Sequence, residues 1–292
     1  MRLLLYGRSS DLLLQAVAAG ATALGWEVVF YRDSVFTQDQ VDRADAVLVR
    51  GLHGPAARIR DTYRARGVPV LVEDLPKIRA QQDAHYLGLD SLHWLPADRA
   101  PTDRLARLSL PEPPVPSGDA VLVLGQKPND AAHGLGESEL VTWAEATAAI
   151  LRDRGNRPRL WRPHPRCPGM RPRGFDAYLE ADRPLAEAFA LAAWVVAYNS
   201  TASIDAVIAG LPVVVSDPAS FVAPVATVGI PEGDPPQLDA ETREAFLARL
   251  AYTQWTPAEL ATGFPVAFAL GLARAELTQA PRRGRRSHQV AA

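Results

Sequence analysis

The sequence predicts an α/β protein built as two Rossmann-like domains facing each other across a cleft. Three observations predict it. The length of 292 residues corresponds to about two domains at roughly 150 residues each. Short apolar runs that end in glycine or polar residues alternate with longer amphipathic stretches, the strand–helix–strand rhythm of a parallel sheet. A proline-rich gap then interrupts that rhythm once, near the middle of the chain.

Taken in order, residues 2–6, 27–31, 45–50 and 68–73 read as strands, with helices over 11–24 and 56–66 between them. Right-handed crossovers stack these as one half. Prolines at 96, 101, 111, 113, 114 and 116 leave no sustained period and mark a linker. The rhythm resumes with strands at 120–124, 159–162, 194–198 and 212–216, separated by helices over 138–154, 185–192 and 202–209. Two more helices are expected at 241–251 and 266–279, and residues 281–292 form a basic tail expected to be disordered. The expected division is 1–98, a linker at 99–118, a second unit at 119–280, and the tail.

Hydrophobic residues make up 48% and charged residues 22%, the balance of a chain with a real core. The formal charge of −2 provides no whole-molecule positive field for nucleic acid, so any polyanion site must be a local patch. Lys77 and Lys127 are the only lysines among 31 basic residues. Cys167 is alone, which excludes an intrachain disulfide and a cysteine zinc cluster. No apolar run reaches the length of a membrane span, and the opening residues lack a signal peptide's apolar centre. A cytoplasmic protein without a membrane partner is expected, of undetermined oligomeric state.

Ligands of open α/β sheets bind beyond the carboxyl ends of the strands, so the chemistry belongs in the loops that follow them. After the strand ending at Ala197 comes a cluster of small hydroxyl residues, Ser200, Thr201 and Ser203, opening a helix. Backbone N–H groups, a helix dipole and hydroxyls converge there on a phosphate-sized point. Ser200 or Thr201 could equally be an ordinary helix cap. Asp205, in the first turns of that helix, is at a reach suited to a ribose diol. After the strand at 159–162, prolines on both sides hold His164 in a rigid loop, with Arg162 and Arg166 adding positive charge. After the strand at 120–124, Gln126 and Lys127 sit in a glycine-bearing polar loop where Lys127 could neutralise a diphosphate. That loop is not a Walker motif, and Gly134-Leu135-Gly136 is too short for a dinucleotide fingerprint. In the first half, Asp11, His53, Glu73 and Asp74 follow strands and are the candidates for a general base. The six histidines show no metal-binding spacing, so no protein-built metal site is expected.

An HP dipeptide after one strand, a Ser/Thr-rich strand-to-helix turn with a carboxylate, and Gly210-Leu211-Pro212-Val213-Val214 together resemble the GT-B superfamily of nucleotide-sugar glycosyltransferases, notably its capsule and teichoic-acid branches. The resemblance implies that His164, Ser200 and Thr201 contact the donor's phosphates, and that Asp205 occupies the ribose-binding position where relatives more often carry Glu. Val72-Glu73, the segment 86–92 and the Gly125-Gln126-Lys127-Pro128 loop also look like glycosyltransferase-type proteins of tailed bacteriophages. That narrower likeness implies, as one acceptor, a hydroxymethylated pyrimidine in duplex DNA.

The function expected is transfer of a sugar from a nucleotide-activated donor, a UDP-sugar foremost, to an acceptor hydroxyl without a metal. His164, Arg166, Ser200, Thr201, Ser203, Asp205, Gln126 and Lys127 would bind the donor, and Glu73, Asp11 or His53 would take the acceptor's proton. A DNA acceptor would need a basic strip, for which Arg58, Arg60, Arg64 and Arg66 and the tail arginines 282, 283, 285 and 286 are candidates; the alternative is a solvated helix face and a disordered tail. A capsule polysaccharide transferase, a 2-epimerase or hydrolase on the same fold, and a binding protein without turnover are the other readings.

Overall fold

The computed structural model describes residues 1–38, 41–97, 100–108, 110 and 118–272. Four of the expected linker prolines (111, 113, 114 and 116), the basic tail and the end of the helix expected over 266–279 lie outside them.

The first half begins with β1 (Arg2–Tyr6), α1 (Leu12–Ala23), β2 (Glu27–Tyr31), β3 (Ala46–Arg50), α2 (Pro55–Arg64) and β4 (Val70–Asp74). Leu3, Leu4 and Leu5 point alternately to both faces of the sheet and all are fully buried, which is why this strand reads as a continuous apolar run. Asp11 starts α1 by accepting the amides of Leu13 and Leu14. After β4 come β5 (His85–Leu89), the short helix α3 (Asp103–Ala106) in the connector, and then the second half.

The second half comprises β6 (Ala120–Leu124), α4 (Glu137–Arg154), β7 (Arg159–Arg162), β8 (Ala177–Tyr178), α5 (Leu185–Ala190), β9 (Ala192–Ala197), α6 (Ala202–Ile208), β10 (Val213–Val215), β11 (Thr227–Val228) and α7 (Ala240–Ala251). Three last elements follow: β12 (Gln254–Trp255), α8 (Pro257–Leu260) and α9 (Phe264–Ala269). None of the helices among the described residues is long and apolar enough to cross a membrane.

The strands form two six-stranded sheets, ordered β12-β5-β4-β3-β1-β2 and β11-β10-β9-β6-β7-β8. All pairings in the second sheet are parallel. Its order is that of a doubly wound sheet, with the reversal of direction, the topological switch point, between β6 and β9. In the first sheet the parallel strands β2-β1-β3-β4 reverse between β1 and β3. Each sheet thus carries one switch point, and each is a place where loops diverge to leave a crevice.

Two features differ from the expectation. First, β5 is antiparallel to β4, and its sequence, HYLGL, is too short to declare itself by periodicity. Second, the chain returns to the first sheet: β12 pairs antiparallel with β5, while Leu260, Val266 and Ala269 join the core around α1. The unit expected over 119–280 therefore does not keep its last described segment. Gly20 on α1 allows this return, because a Cβ there would lie 2.2 Å from the carbonyl oxygen of Leu260. Arg104 holds the two connections together. It is 9% exposed and donates to the carbonyls of Ala251 and Gln254 and to both carboxylate oxygens of Glu259, with its guanidinium 3.9 Å from the centre of the Trp255 ring.

Replacing Arg104 with alanine would strand two carbonyls and a carboxylate, so urea unfolding should show a loss of about 3–5 kcal/mol. Arg104→Lys should recover little of it, because an ammonium cannot span these acceptors.

Candidate functional site

The loops beyond β6, β7 and β9 meet at the second sheet's switch point. Gln126, 6% exposed, and Asn199, 2% exposed, join the first loop to the third: the Gln126 Nε2 amide donates to Asn199 Oδ1 at 2.8 Å, and the Asn199 backbone N–H donates to Gln126 Oε1 at 2.7 Å. Asn199 Nδ2 donates onward to the carbonyl of Ala132 and to Asp217. The second loop is seated by Gly125. A Cβ at that position would lie 2.8 Å from the Trp161 ring and 3.2 Å from the backbone nitrogen of His164.

These contacts shape a crevice of about 500 Å³ lined from both halves of the molecule. From the second half, Lys127, His164, Arg166, Ser200 and Thr201 face it; from the first, His53, Asp74, Lys77, Arg79 and His93 do. His164 accepts the Arg166 backbone N–H at Nδ1, 3.0 Å away, so the neutral ring carries its proton on Nε2. Burial, reinforced by the neighbouring Arg166, pulls the imidazole below its ordinary pKa and favours that neutral donor. Lys127 is loosely placed against Asp130 at 3.9 Å. Among the described residues, the backbone N–H groups of Ser200 and Thr201 have no internal acceptor. The crevice thus gathers hydrogen-bond donors and cations at the carboxyl ends of three adjacent parallel strands.

The comparisons with known proteins bear on this geometry. No family model matches the chain, and no curated protein matches its sequence. Solved structures do match. The beta Kdo 2,4 transferase of Thermosulfurimonas dismutans KpsC is 15% identical, with 85% of this chain and 90% of that one covered and a TM-score of 0.52. The beta Kdo 2,7 transferase of the same protein is also 15% identical, covering 86% and 90% with a TM-score of 0.48. A Methanocaldococcus jannaschii UDP-GlcNAc 2-epimerase, solved with UDP-GlcNAc and UDP, is 9% identical over 93% and 100%, at 0.33. The fold is GT-B-like. At these identities the likeness speaks for architecture alone.

Within this GT-B-like frame, several residues singled out in the sequence have other duties. The amide of Gln126 has its oxygen and nitrogen both engaged by Asn199, so it positions the loop. The Ser203 hydroxyl is fully buried and donates to the carbonyl of Ser200, inside the turn. Arg162 donates to the carbonyls of Ala181 and Arg183. Glu73, 4% exposed, is held by His85 at one oxygen and Arg50 at the other, both at 2.8 Å. Asp11 divides its oxygens between the first amides of α1 and the Arg50 guanidinium. Neither acid keeps a free oxygen, whereas Asp74 is held at one only, by Lys77 Nζ at 2.6 Å. His53 is exposed on the crevice wall. Among the described residues, no group of three His, Cys, Asp or Glu side chains is arranged to hold a metal.

Lys77 and His93 also line the crevice but were not among the site residues expected from the sequence. Lys77 is buried, 4.8 Å from the centre of the Tyr86 ring and 5.5 Å from that of Phe221. The signal for it was its rarity: both lysines of the chain line this one crevice. His93 packs edge-on against Phe221, and burial, with Lys77 close by, drives its pKa to about 4.

Asp205 is not among the residues that line the crevice; its Oδ2 is buried without a hydrogen-bond partner among the described residues, and Arg79, which does line the crevice, brings Nη1 to 3.5 Å without donating. Burial pushes this carboxyl up to about 6, opposed by Arg79. An acid whose folded pKa exceeds its unfolded value stabilises the fold fully at pH below the unfolded pKa and loses that contribution as pH rises through the folded one. Between pH 4 and pH 7 the native chain should therefore lose up to about 3 kcal/mol that Asp205→Asn keeps, measured by urea midpoints at the two pH values.

Proposed function

We propose that this protein is a glycosyltransferase that moves a sugar from a nucleotide-activated donor, a UDP-sugar first among them, to an acceptor hydroxyl. The observation that carries the proposal is the convergence of the His164 Nε2–H, Lys127, Arg166 and the open amides of Ser200 and Thr201 on one crevice at the switch point. A diphosphate presents only acceptors and negative charge, which this set complements. Asp205 is the ribose residue in this reading: Arg79 of the crevice wall lies 3.5 Å from its orphaned Oδ2, and a ribose hydroxyl would supply that oxygen with a donor.

In the transfer, the acceptor oxygen bonds to the anomeric carbon. The bond from that carbon to the phosphate oxygen breaks, and its electron pair leaves with the nucleotide. The acceptor's proton passes to Asp74, which borders the crevice and keeps one oxygen without an internal partner among the described residues. Asp74 takes this role rather than Glu73 or Asp11, whose oxygens are occupied. Lys127, Arg166 and His164 stabilise the charge that accumulates on the leaving phosphate, so the reaction is proposed to need no metal. The single cysteine suits a reducing compartment, and we assign the activity to the cytoplasm.

For duplex DNA as acceptor, the described residues offer little support. Arg60 pairs with Asp61 and Arg64 with Asp90, and Arg58, Arg60, Arg64 and Arg66 all lie outside the crevice lining. The tail arginines are outside the described residues.

Incubation with a panel of nucleotide sugars, with and without acceptors, tests the proposal. Donor consumption that requires an acceptor and survives EDTA is the expected result. Consumption without an acceptor would mark an epimerase or hydrolase, and binding without consumption a sensor. His164→Ala and Lys127→Ala should each cut turnover by roughly 10²–10³-fold. Asp74→Asn should abolish transfer while nucleotide affinity, read by calorimetry, stays within about twofold of wild type, because the base acts only in the transition state.

A further inference from the structure

A second cavity, of about 600 Å³, lies at the switch point of the first sheet, beyond the carboxyl ends of β1, β3 and β4. It shares Gly51, Asp74 and Leu75 with the crevice already described, so the two lie side by side with the proposed base on their common wall. Nothing in the donor reading uses it. We propose that this cavity is the acceptor site and that it takes a neutral, hydroxyl-rich compound, a saccharide or polyol, and not a polyanion. The assignment rests on the donor reading of the neighbouring crevice.

Three observations carry it. The first is position: open α/β sheets bind ligands in the crevice at the switch point, and here the second sheet's switch point and the first sheet's face a common junction. The volume lies within the range of small-molecule sites.

The second is the way charge is arranged. The cavity is lined by four carboxylates (Asp11, Asp33, Glu73 and Asp74) against two guanidiniums, Arg8 and Arg50. Arg50 spans Asp11 and Glu73, and Lys77 answers Asp74. Arg8 and Asp33 have no ion-pair partner among the described residues, but carboxylates outnumber guanidiniums in the lining four to two, so a ligand carrying several phosphates or carboxylates would be desolvated against a field of its own sign. The crevice next to it is the opposite case: Lys77, Arg79, Lys127 and Arg166 line it against the carboxylates of Asp74 and Asp130, and the Lys127–Asp130 contact is loose, at 3.9 Å. A polyol suits fixed, internally paired polar groups, because its hydroxyls both donate and accept without adding charge.

The third is Leu75. It is 70% exposed and stands on the wall that both cavities share. A sugar ring carries an apolar C–H face as well as a polar rim, and an exposed leucine at the junction offers that face a partner where the reacting hydroxyl must lie.

Calorimetry with UDP, GDP, CMP, ADP and TDP on the full chain comes first, and binding of at least one is required. The matching nucleotide sugar is then incubated with neutral methyl glycosides or glycerol, with sugar phosphates and uronates, and with short duplex DNA containing hydroxymethylcytosine. Neutral acceptors should stimulate donor consumption at least about tenfold more than either anionic class. Asp33→Lys should shrink that preference about threefold or more while nucleotide affinity holds, since it puts a cation into this cavity alone. Leu75→Ala, which removes the apolar face without adding charge, should raise the KM for the neutral acceptor about tenfold and the donor KM by much less. Equal or better stimulation by DNA or sugar phosphates overturns the assignment, as does nucleotide binding without any stimulation by neutral compounds. Failure of every nucleotide to bind removes the donor reading instead, and the acceptor assignment with it.

Discussion

The reciprocal amide pairing of Gln126 and Asn199 is the constraint on which the rest of the candidate site depends. Both side chains are buried, and a buried amide without partners carries a heavy desolvation penalty. Here each satisfies the other across the gap where the second sheet reverses direction, so the loop after β6 and the loop after β9 hold one relative position. The HP loop is then seated against Gly125, whose N–H donates to the Arg162 carbonyl at 2.8 Å and whose missing Cβ leaves room for the Trp161 ring and the His164 backbone. Three strands that would otherwise end in independent loops present their polar groups to one space as a result.

Much of the fold was legible because parallel strands covered on both faces are written as unbroken apolar runs, as in Leu3-Leu4-Leu5 and Val195-Val196-Ala197. Their connecting helices are long enough to show a period. The elements that escaped are those whose pairing is remote. The two residues of β12 have no pattern of their own and become a strand only because β5 lies beside them, 168 to 170 residues earlier in the chain, as in Gln254 opposite Tyr86 and Trp255 opposite His85.

The site was legible in its location and less so in its roles. The residue types after β6, β7 and β9 pointed to one shared space, and Lys127, His164, Arg166, Ser200 and Thr201 do line one crevice. What sequence could not resolve was which polar groups the protein uses internally. Glu73 and Asp74 are adjacent in the chain, yet one is saturated by Arg50 and His85 while the other keeps an oxygen free. Such differences arise from partners on other strands, which local spacing does not encode.

The return of the chain to the first sheet has a mechanical consequence. The polypeptide passes between the halves twice, once near α3 and once between α7 and β12, and Arg104 fastens those two passages side by side. With both attachments on one line beside Arg104, relative movement of the halves would be least costly as a swing about that line, which would widen or narrow the crevice while Arg104 kept its neighbours.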